Sequence, residues 1–173
     1  MVGHSAGAPQ IVVLTPGQQA AEFSLRNQHG ETVALSARSG RPVAVMFYPF
    51  AFSRVCGSEL AQIHQRWAEF ADIDAALLAI SCEPVHTLRA YAEALSAEPS
   101  EDHAQGLGFE LLSDFWPHGE VAQAYDSFDA EKGCPVRNTF ILDPGQRITQ
   151  VISSPMGQPR DLDEVLAALA RAR

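Results

Sequence analysis

The chain has 173 residues, 46% of them hydrophobic and 19% charged, which suits one domain with a substantial core and excludes a disordered or low-complexity sequence. The formal net charge is -9, only Lys132 among the 12 basic residues is a lysine, and no basic run occurs, so nucleic-acid binding lacks its electrostatic footprint. No stretch approaches the roughly 18 apolar residues that span a bilayer, and residues 1–10 have neither part of a secretory signal; the reading is a cytoplasmic protein with no membrane association.

Residues 1–14 are rich in Gly, Ala, Pro and Gln around one short apolar run and read as an N-terminal arm, with the domain over 15–173. Alternating residues over 22–26 and 31–35, separated by Asn27, Gln28, His29 and Gly30, predict a small hairpin at a sheet edge. Residues 42–48 form a continuous apolar run, the pattern of a strand covered on both faces. Leu60, Ile63, Trp67 and Phe70 then recur at spacings of three and four and predict an amphipathic helix over about 54–71.

The same order repeats. Residues 75–81 predict a second buried strand, and Pro84 opens a helix carrying Leu88, Tyr91 and Leu95. A polar loop over 99–108, a short strand over 109–112 and a short helix over 119–125 follow. Two extended runs, 136–142 and 148–153, flank Asp143, Pro144, Gly145 and Gln146, residues that favour a tight reversal. The last segment, 161–169, has leucine and valine at helical spacing with acids first and the arginines Arg171 and Arg173 following it, which complements the helix dipole. This is the element order of a thioredoxin-like α/β fold with an N-terminal β extension and a central mixed sheet flanked by helices.

Chemistry concentrates where the first buried strand breaks at Pro49 and a helix begins near Ser53, because Cys56 falls in that helix's first turn. The first N–H groups of a helix have no internal partners and carry partial positive charge, so a thiolate there is favoured. Ser53 stands three residues earlier, on the same face, able to cap the helix and to orient a bound oxygen. The bland alternative makes Ser53 a simple cap and Cys56 a small apolar residue.

Pro49, Ser53 and Cys56 match the peroxiredoxin pattern Pro-x-x-x-Thr/Ser-x-x-Cys, with Glu59 at a position where many members have glutamate. The segment from Val136 to Phe140 resembles the family's arginine-bearing strand, and this implies that Arg137 is the cation beside the sulfur. Residues 49–60 and 111–119 are most similar to the alkyl hydroperoxide reductase E-like branch, and the resemblance runs from about residue 15 to the end.

The resemblance implies a thiol peroxidase acting on hydrogen peroxide, organic hydroperoxides or peroxynitrite, with no cofactor or metal and assembly as a homodimer or higher. Cys56 attacks the peroxide and becomes a sulfenic acid, Arg137 and Ser53 stabilise the charge on the oxygens, and Pro49 shields the pocket. Arg54 reads as solvated, and Trp116 and His118 as packing residues outside the reacting set.

Neither the C-terminal tail nor position 61, which is Ala61, supplies a second thiol. Cys82 and Cys134 remain as candidate resolving residues, though each reads more readily as a core or loop thiol. A one-cysteine cycle, closed by a low-molecular-weight thiol or a thioredoxin- or mycoredoxin-like reductant, is therefore favoured. The alternatives are an atypical two-cysteine cycle and a thioredoxin-fold oxidant sensor without turnover. A thioredoxin-type reductase needs Cys-x-x-Cys, and the third residue after Cys56 is Glu59. A zinc site is poorly supported, since Cys82 and His86 are an isolated pair.

Overall fold

Every residue of the third strand, β3 (Val43–Phe47), is buried, and its side chains alternate between two cores. Ala44 and Met46 join one apolar cluster, while Val43, Val45 and Phe47 join the other. A strand walled in on both sides has no polar face, which is why its sequence shows a continuous apolar run. The structure, a computed structural model, describes residues 14–97 and 106–173. The arm over 1–14, apart from Leu14, and most of the loop over 99–108 lie outside the described residues.

The elements follow the order read from sequence. β1 (Ser24–Asn27) and β2 (Thr32–Ala34) form the opening hairpin, and a 3-10 turn over Leu35–Arg38 leads to β3. Then come α1 (Arg54–Gln65), α2 (Trp67–Asp72), β4 (Ala76–Ser81), α3 (Val85–Ser96), β5 (Glu110–Ser113) and α4 (Glu120–Ala124). The chain finishes with β6 (Phe128–Asp129), β7 (Cys134–Pro135), β8 (Arg137–Leu142), β9 (Ile148–Ser154) and α5 (Leu162–Arg171).

Seven strands form one mixed sheet in the order β2-β1-β5-β4-β3-β8-β9. β3, β4 and β5 are parallel neighbours, and β8 runs antiparallel to β3. One apolar cluster packs α1, α2, α3 and α5 against one sheet face, and the other packs α4 and the N-terminal segment against the opposite face. This is the thioredoxin-like arrangement with its β extension.

Two details depart from the sequence reading. The helix expected over 54–71 is two helices, broken at Arg66, whose backbone leaves the helical region (φ -101, ψ 18). The apolar spacing runs on through the break because Leu60, Ile63 and Phe70 enter the same core, with Trp67 packed against it. The small β6–β7 ladder is an addition, its strands too short to carry any period.

The pairing decides where chemistry can occur. Phe47 at the end of β3 lies opposite Ile80 near the end of β4, and Met46 opposite Thr139 near the start of β8. The end of β3, the start of β8 and the loop after β4 therefore share one edge of the sheet.

Candidate active site

Tyr48 makes the last ladder bond of this strand, its N–H donating to the Ile80 carbonyl at 3.0 Å. Pro49, buried and lacking an N–H, then carries the chain off the sheet. The Ala51 N–H donates to Glu83 Oε1 at 3.2 Å, and Phe52 takes a left-handed backbone with φ 61. Ser53 is the N-cap of α1: extended at φ -69 and ψ 150, its Oγ accepts from the Cys56 N–H at 3.2 Å. The cap read from sequence is present, and Arg54 beside it is exposed.

Cys56 is fully buried in the first turn of α1. Arg137, the first residue of β8, donates from Nη2 to Cys56 Sγ at 2.9 Å. Its Nε donates to the Met156 carbonyl at 2.8 Å and its Nη1 to Glu59 Oε1 at 3.3 Å, which leaves the guanidinium little freedom. Glu59, one turn after Cys56, also holds Arg160: Oε2 accepts from the Arg160 N–H at 2.7 Å and Oε1 from its Nη1. Arg160 Nη2 reaches the Phe47 carbonyl at the end of β3.

All these side chains are buried, and burial pushes the Arg160 guanidinium below its ordinary range while Glu59 opposes that shift. Buried charges must be balanced at close range. Two arginines and one carboxylate leave one positive charge, and the Arg137 end of the cluster faces the sulfur. A nucleophile that carries negative charge, or a leaving oxygen that acquires it, is the complement this pocket accepts.

Residues 16–151 match the AhpC/TSA family. The chain belongs to this family of peroxiredoxins. It is 37% identical over 161 residues to alkyl hydroperoxide reductase E of Mycobacterium tuberculosis, covering 91% of this chain and 99% of that one. It is 28% identical over 153 residues to peroxiredoxin 2 of Thermoplasma acidophilum, covering 88% and 73%. The crystal structure of peroxidoxin BcpB from Mycobacterium tuberculosis superimposes with a TM-score of 0.76 at 28% identity, over 92% and 99% of the two chains. This peroxiredoxin is a thiol-dependent peroxidase.

The other two thiols of this peroxiredoxin are free and buried. Burial, reinforced by the Asp114 carboxylate, pushes Cys82 up to about 12, and burial likewise raises Cys134. Both lie near the active-site edge, Cys82 just after β4 and Cys134 in β7. Trp116 is 83% exposed and lines a separate cleft of about 310 Å³ with Leu25 and Tyr125. The His118 ring bonds the Gly133 carbonyl at 2.8 Å. Among the described residues no cluster of three or more potential metal ligands occurs, and no helix is long and apolar enough to cross a membrane.

Arg160 escaped the sequence reading. It stands 101 positions from Glu59, just before the cap of α5, where no local period marks it.

Proposed function

We propose that Cys56 is the peroxide-reducing nucleophile, with Arg137, Ser53 and Pro49 as its site, in a one-cysteine cycle closed by an external thiol. The observation that carries this reading is the 2.9 Å contact of Arg137 Nη2 with Cys56 Sγ. The sulfur attacks the terminal peroxide oxygen and the O–O bond breaks. Hydroxide or alkoxide leaves and takes up a proton, or nitrite leaves as the anion, and Cys56 becomes a sulfenic acid. Arg137 and the Ser53 hydroxyl hold the two oxygens as charge moves onto the leaving one, and Pro49 keeps water out.

One external thiol then displaces water to give a mixed disulfide, and a second releases the Cys56 thiol as the external disulfide forms. A low-molecular-weight thiol or a thioredoxin- or mycoredoxin-like protein supplies these electrons. Resolution by Cys82 or Cys134 is disfavoured, because exchange begins with a thiolate and burial keeps both thiols protonated near neutral pH. Three free thiols suit a reducing, cytoplasmic compartment. Assembly as a homodimer or higher belongs to the same reading; Phe50, Phe52 and Phe115 are exposed apolar side chains suited to such a contact.

Mass spectrometry after one equivalent of hydrogen peroxide tests the cycle. A sulfenic or sulfinic adduct on Cys56 is expected; a Cys56–Cys82 or Cys56–Cys134 bridge overturns the one-cysteine reading. Equal peroxide consumption by wild type and Cys56→Ser overturns the nucleophile.

A further inference from the structure

Arg54 is the first residue of α1, next to the Ser53 cap and two positions before Cys56. It is exposed, and among the described residues it makes neither a hydrogen bond nor an ion pair. That is unusual in a chain with 21 acidic residues against 12 basic ones. Arg38, Arg41, Arg66 and Arg160 each face a carboxylate.

The position also runs against helix electrostatics. A helix start carries partial positive charge and favours acids, and α5 follows that rule with Asp163 and Glu164 in its first turn and Arg171 in its last. α1 has no acid in its first turn and opens on a cation instead. Stability of α1 therefore does not account for Arg54, whereas the neighbouring reaction does. The buried cluster of Arg137, Arg160 and Glu59 leaves one positive charge at the sulfur. Arg54 continues that positive potential to the surface of a molecule whose formal net charge is -9. Residues two apart on a helix do not face each other, so Arg54 acts on an approaching molecule through its field and not on the reacting atoms.

We propose that Arg54 is a specificity-determining residue that favours hydroperoxides carrying an anionic group, such as a carboxylate, away from the O–O bond. The rest of the surface repels such a molecule, and Arg54 draws its charged end to the mouth of the Cys56 pocket. A neutral peroxide gains nothing from it. The proposal rests on Cys56 as the nucleophile and names a substrate class for that site.

The test compares cumene hydroperoxide with its para-carboxylate, which differ in charge and share the reacting group. Rapid mixing with the full chain gives the rate of Cys56 oxidation by each. Ionic strengths of about 0.01 M and about 1 M shorten the screening length from about 30 Å to about 3 Å. In wild type the carboxylate-to-neutral rate ratio should fall as salt rises. Arg54→Gln is expected to lower the low-salt ratio about threefold, the effect of one unit charge acting through a water-like dielectric, and Arg54→Glu about tenfold. In both variants the ratio no longer falls with salt, and Arg54→Lys keeps the wild-type behaviour. Arg41→Gln makes the same change in net charge before β3, at the opposite end of the strand that leads to Pro49, and leaves the ratio unchanged.

An unchanged ratio in Arg54→Gln overturns the proposal, as does an equal fall in Arg41→Gln, which would assign the effect to net charge. Equal slowing of both hydroperoxides in Arg54→Gln, in step with lost thermal stability, would make Arg54 structural and also overturns it. Equal consumption of both hydroperoxides by wild type and Cys56→Ser is a different failure, that of the nucleophile reading itself.

Discussion

Arg137 touches the Cys56 sulfur at 2.9 Å while its Nε is tied to the Met156 carbonyl at 2.8 Å, so the cation is fixed at both ends. Arg137→Ala is expected to slow reaction with hydrogen peroxide by more than about tenfold, or about 1.4 kcal/mol of transition-state stabilisation. Arg137→Lys does not restore the rate, because one ammonium cannot span the sulfur, Glu59 and Met156 together. Rapid-mixing kinetics under excess peroxide measures both, and an unchanged rate removes Arg137 from the site.

Glu59 separates two buried guanidinium groups. Glu59→Ala leaves Arg137 and Arg160 confined without their shared counter-charge, and breaking a buried pair in this way costs about 3–5 kcal/mol. The urea midpoint should fall accordingly, with Glu59→Gln losing less because its amide oxygen still accepts. A midpoint within error of wild type for Glu59→Ala would show that the network adds nothing to stability.

Ser53 caps α1 through the bond from the Cys56 N–H. Ser53→Ala should lower stability by about 1 kcal/mol, the usual worth of such a cap, and also slow peroxide reduction. Ser53→Thr preserves the hydroxyl and should recover both. A stability loss with no kinetic change would confine Ser53 to capping.

Cys82 makes stability depend on alkaline pH. Burial raises its thiol from an ordinary 9.0 to about 12 in the folded state, so the unfolded chain releases that proton first. The contribution is fully present below pH 9.0 and is lost progressively as pH rises towards about 12. Wild-type unfolding free energy should decline across that window, and Cys82→Ala should decline less. Parallel curves for the two proteins would contradict the assignment.

Periodicity and local chemistry carried most of the architecture. The continuous apolar runs marked β3 and β4 because both faces of those strands are covered, and the Asp143–Gln146 reversal closes with the Gln146 N–H on the Asp143 carbonyl at 2.8 Å. The same spacing could not report the break at Arg66, since the apolar residues on either side serve one core. Asp161 caps α5 as the acids-first pattern implies, its Oδ1 accepting from the Asp163 N–H at 2.9 Å.

The sequence alone determined that Cys56 opens a helix after a buried strand, with Ser53 as its cap, because those relationships span only a few residues and follow from helix geometry. The resemblance to peroxiredoxins brought in Arg137. Tertiary structure alone decided that Arg137, 78 positions from Glu59, and Arg160, 101 positions away, converge on one carboxylate beside the sulfur. It alone placed Glu83 and Tyr91 against the loop that buries Cys56. Compensation of buried charge and the contacts of the loop before α1 depend on which distant segments pack together, and no local period encodes that.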